Sequence, residues 1–225
     1  MLEKGADVNA VGGVFGSALQ AAATDGHSQI VKLLLENGAN VDAQQGWFGN
    51  AIQAASTMGH ARVIRLLLAS QADVNACGGL YGNALRAASY GARPIVQLLL
   101  ENRADVDVQG GTYSSALQAA TVKGDCQIIR RLLDNGADVY SQVPMAGGLL
   151  HIAALQGHEP VVQLLLESRA DVNAQGGISG TALHMASSMG HASIVRLLLE
   201  NGADVSARGK LAGTALDAAS AVFRL

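Results

Sequence analysis

GANVDAQQGWFGNAIQAASTMGHARVIRLLLAS, residues 38–70, decides the fold, because the chain repeats this phrase about every 33 residues. An Ala-Leu pair or a close variant marks the beat. Leu19, Ile52, Leu85, Leu117, Leu150, Leu183 and Leu216 follow one another at steps of 33, 33, 32, 33, 33 and 33. A second marker keeps time with it: Ala6-Asp7, Ala39-Asn40, Ala72-Asp73, Ala104-Asp105, Ala137-Asp138, Ala170-Asp171 and Ala203-Asp204. Self-similarity at this period means a stack of like supersecondary units, each buried against its neighbours, and not a globule around one centre.

Inside the phrase, Ala51 to Thr57 is short, rich in Ala and helix-favouring, and begins just after Asn50. Its counterparts begin after Ser17, Asn83, Ser115, Thr181 and Thr214, whose side chains can accept the first free backbone N–H groups of a helix. Gln20, Gln53 and Gln118 stand three residues on, the spacing at which an amide reaches back to the cap. The fifth unit departs, with Gly148 at the cap. A Gly-His turn follows in four units, at Gly26-His27, Gly59-His60, Gly157-His158 and Gly190-His191. The next helix carries Val63, Ile64, Leu66, Leu67 and Leu68, a stripe too broad for a solitary surface helix. Pro94 and Pro160 fit its first turn, where a missing N–H costs little. Gly38, Gly136 and Gly202 fit the left-handed position after it. Ala72 to Ala76 with Gly78-Gly79 reads as a reversing, hairpin-like connection.

Helix, turn, helix and hairpin in 33 residues resemble the ankyrin repeat over essentially the whole chain, as in GTALHMASSMGHASIVRLLLENGADVSA at 180–207. The usual Thr-Pro-Leu-His opening becomes Thr-Ala-Leu-His at Thr181 to His184 and Ser/Asn-Ala-Leu/Ile-Gln elsewhere. The phrase from Gly78 to Leu85 is similar to fungal-type ankyrin arrays. The resemblance implies an all-α ankyrin-repeat solenoid of stacked helix-turn-helix units with projecting β-hairpin-like loops, forming one domain over 1–225. Its units run over about 1–10 (partial), 11–43, 44–76, 77–108, 109–141, 142–174, 175–207 and 208–225 (partial). Two units break step. The third is one residue short at Ala87 to Gly91, which predicts a tighter turn between its helices. The fifth has Gln142, Val143, Pro144 and Met145 in place of the glycine-rich hairpin. Each is either a point where the stack bends or drift in a connection that tolerates change, and drift is the preferred reading.

Composition narrows the function. Apolar residues make up 49% and charged residues 15% of the chain, but apolar runs stay far below the roughly 20 residues a membrane-crossing helix needs. Ala and Leu at fixed repeat positions account for the excess. The net charge of -3 is spread out, and Arg130-Arg131 is the one adjacent basic pair, so the chain lacks the footprint of direct nucleic-acid binding. Cys77 and Cys126 occupy non-equivalent repeat positions, which argues against a disulfide or metal site and for a reducing, intracellular compartment, cytoplasmic or nuclear. No basic-then-apolar leader opens the sequence given.

The chemistry-bearing residues recur on schedule, and active sites are singular. Gly12 to Gly16 and Gly176 to Gly180 lack the order of a phosphate loop, and Gly209-Lys210 lacks its flanking residues. His151/His158 and His184/His191 are seven apart, unlike the i, i+4 spacing of paired ligands on a helix. The expectation is no catalytic residue, no cofactor and no metal. What varies between units is the hairpin tip: Val14-Phe15, Trp47-Phe48, Leu80-Tyr81, Thr112-Tyr113, Met145-Ala146, Ile178-Ser179 and Leu211-Ala212. Aromatic residues anchor interfaces, and the resemblance implies partner binding by these tips and the adjoining first helix. The candidate face is therefore Val14, Phe15, Trp47, Phe48, Leu80, Tyr81, Thr112, Tyr113 and Met145, with Met58, Tyr90 and Lys123 (and Asp25 and Gln156) from the first helices. The recurring column Phe15, Phe48, Tyr81 and Tyr113 serves packing on the neighbouring helix equally well.

MLEKGADVNA at the start matches the end of a second helix, and the chain stops after a first helix. Both cuts cross unit boundaries, so the expectation is a piece of a longer array. End-to-end self-association follows if the termini are native. The leading functional reading is a non-catalytic protein-binding scaffold, adaptor or regulator whose partner is another protein. Two readings stay open beside it: the ankyrin segment of a larger enzyme or sensor (NTPase, kinase or channel type), and a transcriptional coregulator acting through a protein partner.

Overall fold

The computed structural model describes residues 6–108, 115–143, 147–176, 180–209 and 213–222. The chain forms two compact units, Met1–Ala119 and Ala120–Leu225. In the first, a hairpin of two-residue strands pairs β1 (Val11–Gly12) with β2 (Gly16–Ser17) and leads into α1 (Ala18–Thr24) and α2 (Ser28–Glu36). Two further helix pairs follow, α3 (Ala51–Met58) with α4 (Ala61–Ala69) and α5 (Ala84–Ala88) with α6 (Arg93–Glu101). Helix α7 (Ala116–Lys123) spans the boundary. The second unit continues with α8 (Cys126–Asp134), the hairpin of β3 (Gln142–Val143) and β4 (Gly147–Gly148), α9 (Leu149–Gln156), α10 (Glu159–Glu167), α11 (Ala182–Ser188), α12 (Ala192–Glu200) and α13 (Ala215–Val222). Single antiparallel bridges close four further turns, Gln45 to Gly49, Gly78 to Gly82, Gly176 to Gly180 and Gly209 to Gly213.

Each unit is two layers of helices. The short helices α1, α3 and α5 pack side by side in the first, with α2, α4 and α6 behind them; α9, α11 and α13 with α8, α10 and α12 do the same in the second. The repeat marker is the core: Leu19, Ile52, Leu85, Leu117, Leu150 and Leu183 are buried. Leu216, the seventh, is exposed on α13. Pairs such as Val63-Ile64 and Ile95-Val96, with Leu67 and Leu99 one turn on, seal the second layer. Pro94 and Pro160 sit in first turns, as their missing N–H groups require.

Caps fix where each short helix begins. The Ser17 hydroxyl accepts from Gln20 N–H at 3.2 Å while Ser17 N–H donates to Gln20 Oε1 at 2.8 Å. Asn50 and Gln53 repeat the exchange at 3.0 Å in both directions. Asn83, Ser115 and Thr214 accept from the N–H groups of Arg86, Gln118 and Asp217. At Gly148, which has no side chain to offer, the return half survives: its N–H donates to His151 Nδ1 at 3.2 Å. The hairpin survives there as well, with Gln142 opposite Gly148 and Val143 opposite Gly147. Pro144 and Met145 lie outside the described residues.

The short third repeat does not tighten its turn. The missing residue comes out of the helix instead: α5 has five residues against eight in α3, and four residues, 89–92, join it to α6 where two, 59–60, join α3 to α4. Its leucine has to stay in register with the buried layer, so the loss falls at the free end of the helix. Gly91 makes the longer bend at φ +136°.

Candidate functional site

The hairpin tips of the first unit are strung together through their backbones. Trp47 N–H donates to Val14 O at 3.3 Å, and Leu80 N–H donates to Trp47 O at 2.9 Å. This ladder puts Val14, Trp47 and Leu80 in one row, and all three are exposed, Trp47 at 70%. The second column behaves differently. Phe15 is exposed, whereas Phe48 and Tyr81 are half-buried. The Tyr81 ring meets the Tyr90 ring edge-on, with centroids 5.4 Å apart and planes at 62°, a favoured aromatic geometry. Asp25, Met58, Lys123 and Gln156 are exposed, and Tyr90 is half-buried. Thr112, Tyr113 and Met145, with the tip residues Ala146, Ile178, Ser179, Leu211 and Ala212, lie outside the described residues.

Beneath the face runs a polar column that spacing alone did not resolve. In four repeats the residue that closes the cap also reaches into the following hairpin. Gln20 Nε2 donates to the carbonyls of Ala43, Gln45 and Gly49 at 3.1, 2.8 and 2.6 Å. Gln53 Nε2 donates to Ala76 and Gly82 at 2.8 and 3.3 Å. In the second unit His151 and His184 take over, their Nε2–H donating to Gly180 and Gly213 carbonyls at 3.0 and 3.1 Å. Glutamine and neutral histidine are interchangeable here because each presents an acceptor to the cap and a donor to the next hairpin. Burial lowers the pKa of His151, against the opposing pull of the Gly180 and Ala174 carbonyls; His184 nearby lowers it further. Arg86 occupies this column in the third repeat, wholly buried, and desolvation pushes its pKa below the usual guanidinium value against the pull of Tyr90 and Cys77. Asp217 occupies it in the last, where the Thr214 N–H and hydroxyl hold the carboxyl below its ordinary range.

The histidines of the Gly-His turns also belong to the framework. A carbonyl can only accept, so Nε2 carries the proton when His60 meets Thr24 O at 2.9 Å, His158 meets Val122 O at 3.1 Å and His191 meets Leu155 O at 3.4 Å. Among the described residues no three His, Cys, Asp or Glu side chains gather as a metal site, and no helix is long and apolar enough to cross a membrane. Cys77 is exposed and Cys126 half-buried, and neither is in a disulfide. Within the units one step differs: Ala92 replaces the histidine, and a cleft of about 400 Å³ lies between the ends of α3 and α5. Met58 and Tyr90 of the candidate face line it.

The repeat geometry has a counterpart among known families: a model for ankyrin repeats, three copies in length, matches residues 1–77, 84–176 and 149–209. The chain belongs to the ankyrin-repeat family. Its fold is the ankyrin-repeat solenoid. The crystal structure of the human ASB11 ankyrin repeat domain matches it with a TM-score of 0.81 at 26% identity, covering 92% of this chain and 97% of that one. A comparison with curated protein sequences gave no match. Ankyrin repeats are generally protein-interaction modules and typically non-catalytic.

Proposed function

We propose that this chain is a non-catalytic scaffold, adaptor or regulator that holds another protein against the hairpin tips and first helices of its first unit. The observation that carries the reading is the exposed row Val14, Trp47 and Leu80, held at fixed spacing by the tip-to-tip backbone bonds. A tryptophan 70% open to solvent buries little for the fold, yet it supplies the kind of large, rigid contact that dominates interface energies. Tyr81 and Tyr90 back the row, and Met58 extends it along α3. The polar column fixes the tips from beneath, so a partner meets a surface that is already ordered and loses less entropy on binding.

Affinity capture from native lysate tests the reading, comparing the intact chain with Trp47→Ala/Tyr81→Ala and using circular dichroism to establish that both are folded. A partner captured by the intact chain and lost with the variant is the expected result. Equal capture by both would remove the tips from the binding face.

A further inference from the structure

The protein shows three times what belongs in the cleft at Ala92. At three steps within the units, the imidazole of one repeat lies on the turn glycine of the repeat before it and donates to the carbonyl two residues ahead of that glycine. His60 does so over Gly26 to Thr24, His158 over Gly124 to Val122 and His191 over Gly157 to Leu155. The fit is close: a Cβ built on Gly26 would stand 2.7 Å from His60 Nδ1, and one on Gly157 2.8 Å from His191 Cε1. The corresponding site over Gly59 has the same glycine, in the same left-handed conformation at φ +81°, and the same carbonyl, that of Thr57. A Cβ on Gly59 meets nothing within 4 Å, because Ala92 stands where the histidine would. The space opens as the cleft of about 400 Å³, floored by Ala87 and walled by Met58 and Tyr90.

The geometry points to a histidine side chain of a partner polypeptide as the occupant of this cleft. Its Nε2–H would donate to the Thr57 carbonyl, its ring would lie on Gly59, and the Met58 thioether and Tyr90 ring would flank it. Recognition then has the chemistry of the three internal copies, with the imidazole supplied from outside. That a polypeptide carries the imidazole rests on the proposed scaffold role; the imidazole site itself does not.

The test titrates 4-methylimidazole, the side-chain analogue of histidine, into the isotopically labelled chain and follows backbone amide signals. Shifts confined to Gly59, Ala92 and their neighbours are expected, with toluene producing none of comparable size. Ala92→His places the framework ring in the cleft and is expected to weaken the probe at least tenfold. Ala92→Leu, which fills the space without a donor, serves the same purpose should the first variant not fold. The acetylated, amidated peptide Gly-His-Gly is expected to reproduce the shifts and its Gly-Ala-Gly counterpart to lose them. No localised shift, equal shifts in the filled variants, or toluene binding as well as the imidazole would overturn the site. Probe binding without His-peptide binding would overturn the polypeptide occupant. No partner protein enters the titration, so a failure of the tip face and a failure of this site are read separately.

Discussion

Replacing Gln53 with alanine removes one side chain and unties two repeats. Its Oε1 accepts from Asn50 N–H at 3.0 Å, and its Nε2 donates to the Ala76 and Gly82 carbonyls at 2.8 and 3.3 Å. These losses are unequal. Gly82 O keeps the N–H of Gly78 at 2.7 Å, and Ala76 is only half-buried, so water can reach its carbonyl. Asn50 is fully buried, and its N–H is left with nothing. An orphaned buried donor costs about 1–3 kcal/mol, and the void left by the amide adds to it. A loss of about 2–3 kcal/mol is expected, measured by urea unfolding followed through circular dichroism and Trp47 fluorescence together, since repeat stacks are held by nearest-neighbour contacts. Gln53→His is the control. His151 and His184 already do this work at the equivalent place, so histidine should recover all but about 1 kcal/mol by restoring the bond to the buried donor. An alanine variant within about 0.5 kcal/mol of the parent, a difference ordinary for surface changes, would refute the two-sided role of the column. A histidine variant as weak as alanine would refute its interchangeability.

Three further outcomes follow from local geometry. Gln71, Arg103 and Arg169 hold φ of 65–66° at the post-helix position where Gly38, Gly136 and Gly202 stand elsewhere, so Gln71→Gly should raise stability by about 1 kcal/mol in urea melts; a loss would mean the side chain matters more than the strain. Gly26→Ala should destabilise by at least about 1 kcal/mol, because the new Cβ would press on the His60 ring and φ is +73°, and a thermal melt unchanged from the parent would contradict it. His151 accepts from Gly148 N–H through Nδ1, which the cation cannot do. Its folded pKa lies below its unfolded value, so the stability is present above about pH 6.5 and is lost as pH falls from there through the folded pKa. Between pH 8 and 5 the parent should lose more stability than His151→Gln, and parallel curves would assign the pH dependence to other groups.

The local signals in the sequence were strong where one repeat suffices to settle the matter. Ser17, Asn50 and Asn83 start their helices, Pro94 and Pro160 occupy first turns, and Gly38, Gly136 and Gly202 take left-handed positions, because each depends on backbone groups within a few residues. The third repeat shows where such reasoning stops. A count one residue short signals a deletion, but whether helix or turn gives way depends on keeping Leu85 in the buried layer. The tips show it too. Trp47 and Tyr81 occupy successive columns of one motif, and only their surroundings separate an exposed indole from a ring resting on Tyr90.

By itself the sequence determined the period, the helix-turn-helix-hairpin unit and its family, since each is written in spacings along the chain. It also put the aromatic residues at the hairpin tips. Only the tertiary structure decided what those spacings do across repeats. Gln53 meets Gly82 and His60 meets Thr24 over separations of 29 and 36 residues. Whether a given step of the stack is filled depends on both partners at once, and at Gly59 the partner is Ala92. A pattern along the chain names the groups, whereas packing between repeats determines which of them meet.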